Sequence, residues 1–246
     1  MPDRQAWLAE EQRHALEAAE HLRRASQLVR HAQWPEAIAA MELAIGLNPG
    51  EQTNWYYLAP IFVEAGDVAA YDRHRRALLD RYGSTDSVQV AERTAKACLL
   101  LPGPPDVIGR AAELAGLAVD RGAGDAGLLP YCRLAAGLAE YRLGHFAAAE
   151  KRLRDSLALV IKGWNQRVPA HLVLAMTLQK QGRAAEALDQ LTVARTIFDR
   201  DVPKLDQASG ISWHDVLICR ALRREAESLL FDAGCPSDPF AGAQPR

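Results

Sequence analysis

A short phrase recurs along this chain. Residues 142–153 read RLGHFAAAEKRL, residues 180–191 read KQGRAAEALDQL, and residues 30–41, RHAQWPEAIAAM, form a looser copy. In each, a small residue stands five before an alanine: Ala32 and Ala37, Gly144 and Ala149, Gly182 and Ala187. A further turn, EAGDVAAY, carries Gly66. Ala32 and Gly66 are 34 positions apart, Gly144 and Gly182 are 38 apart, and the 78 between Gly66 and Gly144 make two such steps. A near-constant period of this size predicts stacked helical hairpins, each too small to bury its apolar face alone.

The rest of the chain fits that frame. Apolar residues from Ala6 to Val29 can share one broad face, which predicts a long helix over 5–31. Pro35 suits the first turn of the next helix, and Asn48-Pro49-Gly50 closes the first hairpin. A second hairpin is expected over 55–82, turning at Gly66-Asp67, with Arg73, Arg75 and Arg76 giving its second helix a basic face. Helices are expected over 86–101 and 106–119, separated by Pro102-Gly103-Pro104-Pro105. Two more hairpins are expected over 129–160 and 168–199, then a loop over 200–212 and a last helix over 213–231 that caps the open end. The Pro-, Gly- and Ala-rich tail 232–246 reads as flexible. No stretch alternates with period two, so no sheet is expected.

Composition narrows the class. Hydrophobic residues make up 49% of the chain, enough for a continuous core. The formal net charge of −2 provides no global attraction to nucleic acid or to an anionic membrane. Cys98, Cys132, Cys219 and Cys235 are scattered without metal-like spacing and read as reduced thiols. With no long apolar run and no signal-peptide pattern, the expected location is cytoplasmic.

The repeated residues resemble the tetratricopeptide (TPR) repeat. With Gly66, Gly144 and Gly182 as its inter-helix glycine, Trp55 and Leu58 match the first-helix Trp and Leu, and Ala59, Gly137 and Ala175 the small-residue position. Ala37, Ala149 and Ala187 match the first alanine of the second helix, Ala44 and Ala194 the next, and Pro49 the closing proline. The third repeat is degenerate. The resemblance implies an all-α, right-handed TPR-type solenoid of about five hairpins plus a C-terminal capping helix. More narrowly, NWYYLAPIFVEAGD, AERTAKACLLLPG, GLAEYRLGHFAAAE and the terminal WHD…REAESLL resemble the carboxy-terminal repeat region of serine/threonine protein kinases of planctomycete type. That likeness implies a kinase as a partner in cis or in trans.

No catalytic constellation stands out. The strand lysine, the HRD-type loop and the DFG-type ligand of a kinase are absent. Gly122, Gly124 and Gly127 satisfy G-x-G-x-x-G, but a helix rather than a strand precedes them, so an inter-repeat loop is expected. Trp213-His214-Asp215 sets an imidazole beside a carboxylate, yet neighbours on a helix do not face each other. A helix-start role for Ser212, with Trp213 packing on the last repeat, is expected instead. No cofactor and no metal is expected.

The concave groove is the remaining surface. First helices line it in such arrays. The glycine register places Tyr56, Tyr57 and Val63 there in repeat two, Tyr131, Leu134, Leu138 and Tyr141 in repeat four, and Leu172, Val173, Met176, Gln179 and Lys180 in repeat five. The lysine and asparagine clamp by which related domains hold chaperone tails is replaced by Leu22, Ser26, Tyr56 and Pro60. The expected function is a non-enzymatic scaffold that binds a peptide or partner helix in this groove. The alternatives are a regulatory or recruiting module of a kinase, and an enzyme with a site assembled across repeats.

Overall fold

A computed structural model describes residues 4–159, 163–210 and 212–231. Among these residues the chain forms eleven α-helices and one short 3-10 turn, with no strand. The helices pair in sequence: α1 (Arg4–Arg30) with α2 (Trp34–Leu47), α3 (Gln52–Ala65) with α4 (Val68–Tyr82), α5 (Val88–Cys98) with α6 (Pro105–Arg121), α7 (Leu129–Arg142) with α8 (Phe146–Leu157), and α9 (Trp164–Lys180) with α10 (Ala184–Asp201). Each second helix also packs on the first helix of the next pair, so five hairpins stack into one array. The 3-10 turn Leu205–Gln207 leads to α11 (Trp213–Phe231). The tail 232–246, expected to be flexible, and Cys235 within it lie outside the described residues.

The repeated phrase is a turn. Gly66, Gly144 and Gly182 adopt φ of 74°, 80° and 78°, and Ala32 takes φ 55° at the same place in the first hairpin. The left-handed residue lets the chain reverse within a few positions, and it leaves helix-end carbonyls capped: Asp67 N–H donates to Phe62 O, and Arg183 N–H to Leu178 O. The alanine five residues on packs close, since Ala37, Ala149 and Ala187 are all fully buried. Gly137 serves the same end within α7. A Cβ there would fall 2.6 Å from Leu153 Cγ on α8, so the two helices approach on glycine alone.

Helix starts are set by local chemistry that periodicity misses. The Glu51 carboxylate accepts the Thr53 N–H at 3.1 Å and starts α3 three residues before Trp55. Asp67 Oδ1 accepts the Ala70 N–H at 2.9 Å and starts α4. α9 begins at Trp164, ahead of the expected 168, and carries Pro169 inside.

The degenerate third hairpin is held by two arginines. Pro102-Gly103-Pro104-Pro105 keeps the helix from continuing past Cys98 and leaves the carbonyls of residues 99–102 without helical donors. Arg75, expected on a basic surface, is instead 2% exposed. Its Nη1 donates to Leu101 O and Pro102 O, each at 3.2 Å, and its charge is paired with Asp72. Gly103 leaves the room, because any side chain there would collide with that guanidinium. Arg142, from α7, takes the two carbonyls before these, with Nε on Leu99 O and Nη2 on Leu100 O, both 2.9 Å. Arg73 and Arg76 remain exposed as expected.

Candidate functional site: the concave face and the helix seated in it

The first helices α3, α5, α7 and α9 pack side by side and form the inner face of the array. α11 lies against that face. It packs mainly on α9, as a cap on the last hairpin does, and it also crosses to α3 and reaches α1. The C-terminal helix therefore extends the stack and fills its groove together.

Its first turn is the anchor. Trp213 is fully buried, and its indole Nε1 donates to Ser26 Oγ on α1 at 3.0 Å. The indole meets the Tyr57 ring edge-on at 5.6 Å between centroids. Trp213 thus packs on the first two hairpins, because α11 runs across the groove. The Ser212 hydroxyl donates to Ser209 O at 2.7 Å, so it braces the incoming loop. The His214 ring lies 4.4 Å from Tyr57 and 5.2 Å from Tyr56. His214 and Asp215 do meet, contrary to the rule for helix neighbours: Nε2 and Oδ1 are 3.2 Å apart. The packed tyrosines hold the imidazole on one side, where it can lie along its neighbour's carboxylate.

A cluster of buried charge lies beneath this turn. Lys96 on α5 is 7% exposed and is paired with Glu92, one turn earlier, at 2.7 Å. Its ammonium lies 5.4 Å from the Tyr56 ring centroid and 5.7 Å from that of Tyr131. Burial disfavours the charge, but Glu92, Tyr56 and Asp215 together outweigh it, and the Lys96 pKa is raised. Asp215 shows the converse balance. Burial would raise its pKa, yet His214, Lys96 and the Asn165 amide hold it below the usual carboxylate value. Asn165 Nδ2 donates to Asp215 Oδ2 at 3.1 Å, and the Tyr131 hydroxyl donates to Asn165 Oδ1 at 3.2 Å. Three helices are thereby joined through one carboxylate.

A second charged contact holds the far half of α11. Arg142 forms a bidentate pair with Glu225, its Nη2 reaching Oε2 at 2.6 Å. Arg224 pairs with Glu64 on α3, and Arg223 with Asp199 on α10 and Glu227. Beside this end the groove stays open as a cleft of about 570 Å³, lined by Tyr141, Phe146, Lys180, Glu225 and Leu229 among others.

The positions assigned to the groove divide accordingly. Tyr56 and Tyr57 lie on the inner face, but each is only 2% exposed because α11 covers them. Val63 and Tyr141 are both 8% exposed. Leu134, Leu138, Leu172, Val173 and Met176 are buried in the core, so their reading as partner-contacting side chains is corrected. A first helix of this array is covered on its inner flank as well as its outer one. Tyr131 and Gln179 are half-buried and Lys180 is exposed. Sequence reasoning does not single out Lys96, Glu92, Arg142 or Glu225, and it raises Asp215 only as the neighbour of His214. Their only signal is a charged residue on a helix otherwise rich in alanine and leucine.

Other chemical candidates resolve into structure. The glycine-rich stretch at 122–127 is the turn between α6 and α7, and Asp125 Oδ1 accepts the Gly127 and Leu128 N–H groups. Cys98, Cys132 and Cys219 are buried free thiols, and burial pushes Cys98 up to about 12. Among the described residues no group of His, Cys, Asp and Glu could hold a metal ion, and no helix is long and apolar enough to cross a membrane.

No protein-family model matches the chain, and no curated protein matches it. Solved structures do. A thermophilic TPR protein of Thermus thermophilus aligns with 87% of this chain and 99% of its own, at 20% identity and a TM-score of 0.55. PilW, a widely conserved type IV pilus biogenesis factor, aligns over 90% and 95% at 17% identity and a TM-score of 0.54.

Proposed function

From the TPR-type α-solenoid that these matches and the stacked hairpins establish, we infer that the protein is an interaction scaffold, its described residues acting as one unit that holds a helical segment of another protein on its concave face. One observation supports this reading above the rest: the face already holds a helix, α11, by an aromatic anchor and charged pairs. A surface that seats one amphipathic helix has the shape and the polar partners to seat another. The cleft beside Tyr141 and Lys180 is the part of that face that a partner reaches first. Tyr131, Gln179 and Lys180 are the expected contacts that remain accessible.

Photo-crosslinking in cells tests the reading. A crosslinking residue placed at Tyr131, Gln179 or Lys180 should trap a protein partner, and one placed at the exposed second-helix positions Leu43 or Leu188 should not. Crosslinks confined to Leu43 and Leu188 would place the interaction on the outer face and end the proposal.

A further inference from the structure

The chemistry around α11 describes the partner more closely. This step rests on the concave-face reading above and adds what that face selects. Two cations of the groove are almost removed from solvent: Lys96 is 7% exposed, and the Arg142 side chain 3%. Arg142 meets a carboxylate of α11 in its bidentate pair with Glu225, and Lys96, paired with Glu92, lies in the field of Asp215. Asp215 and Glu225 stand ten residues apart, or about 15 Å along a helix axis.

Both cations also have partners supplied by the array itself. Lys96 keeps Glu92 in α5, and Arg142 keeps Leu99 O and Leu100 O at the end of α5. They stay placed when α11 leaves, and a helix that replaces it must offer a carboxylate to Arg142, whose remaining partners are neutral carbonyls, or leave that buried charge unpaired. The attachment of α11 suits replacement. It is the last described helix, no hairpin depends on it for its own pairing, and it is joined through 202–212, a segment held on the array by buried Leu205 and Ala208, so that α11 can leave while its tether stays.

We propose that α11 is an exchangeable occupant of the groove, and that the partner is an amphipathic helix of another protein with an aromatic residue at its start and carboxylates two and twelve positions later. Lys96 and Arg142 read the carboxylates, and the pocket of Ser26 and Tyr57 takes the aromatic ring. The partner is thus an amphipathic helix with carboxylates at those two positions, not an extended peptide.

The probe is a fluorescent synthetic peptide of residues 212–231, titrated by anisotropy into two full-length variants. One carries Trp213→Ala, which loosens the resident helix. The other carries a protease site inserted between Ser209 and Gly210 and is cleaved after folding, so that α11 is held without a covalent link. Circular dichroism establishes that each keeps its helix content. Saturable binding is expected in both, weakened about tenfold or more by Glu225→Gln in the peptide, since that change removes a charge-assisted contact. Asp215→Asn should weaken it less. The Glu225→Gln effect should vanish against an Arg142→Gln array. Equal binding of wild-type, Glu225→Gln and Asp215→Asn peptides overturns the carboxylate assignment and leaves the concave-face reading intact. Absence of exchange in the cleaved variant overturns exchangeability. Loss of concave crosslinks together with charge-selective peptide binding would overturn only the broader reading.

Discussion

α1 and α11 are both long terminal helices with apolar residues at helical spacing, and they meet opposite fates. α11 buries Trp213, Val216, Leu217, Ile218 and Leu222 against the array. α1 buries Ala18, Ala25 and Val29 in its second half, while Trp7 and Leu16 in its first half are 57% and 73% exposed. The reason is length and position. α1 has 27 residues and its partner α2 has 14, so close to half of α1 extends past any neighbour. That overhang is held by pairs along its own surface, Arg13 with Glu10 and Glu17. α11 lies across a concave surface that contacts it from several sides. An apolar stripe finds a home only where the array provides a surface opposite it.

Substitutions should separate the two ends, and the largest effect belongs to Trp213. Trp213→Ala removes a fully buried indole and a hydrogen bond across the groove, and should cost about 3–5 kcal/mol in urea unfolding. A cost below about 1 kcal/mol would show that α11 contributes little to the folded state.

Acid should act next, and not first on α11. His74 in α4 stacks on Trp55 at 5.5 Å, and its Nε2–H donates to Trp55 O at 2.8 Å. Burial lowers its pKa from 6.5 to about 4. The unfolded chain therefore takes up this proton first, and the contribution of neutral His74, about 3 kcal/mol, is lost progressively as the pH falls from 6.5 to about 4. Asp215, held below the usual carboxylate value, keeps its charge to lower pH, and its contribution is lost only as the pH falls through that depressed value. Single-tryptophan variants retaining Trp55 or Trp213 should report the two events in that order. The reverse order would contradict the assignment.

Glu225→Gln should cost about 2 kcal/mol, because one bidentate charged contact is lost while Arg142 keeps its two carbonyls. Near-ultraviolet circular dichroism and thermal unfolding would register it. Trp7→Ala and Leu16→Ala in the α1 overhang should change stability by less than about 0.5 kcal/mol. A larger loss at Trp7 would mean that the overhang is covered in solution.

The turn residues were legible because their work is local. Ala32, Gly66, Gly144 and Gly182 share a left-handed conformation and a fixed offset to a buried alanine, and both features follow from sequence spacing. The inner face was legible in part: the glycine register found Tyr56, Tyr57 and Tyr131, which do lie around the groove. It also admitted Leu172, Val173 and Met176, which are core, because a first helix of an array is contacted on more than one flank. Arg75 read as surface because a buried guanidinium and an exposed one look alike in sequence. Only the proline-broken end of α5 supplies the carbonyls that bring it inside.

The hairpins, their number and their turns are written in the order of residues alone, since helix bonds and left-handed turns join residues a few positions apart. That the groove holds α11 is a property of the folded array. The contact joins Ser26 to Trp213 across 187 positions and Arg142 to Glu225 across 83. Neither partner of such a pair carries a local mark of the other. They meet because the curvature accumulated over five hairpins brings the last helix back over the first helices of the array.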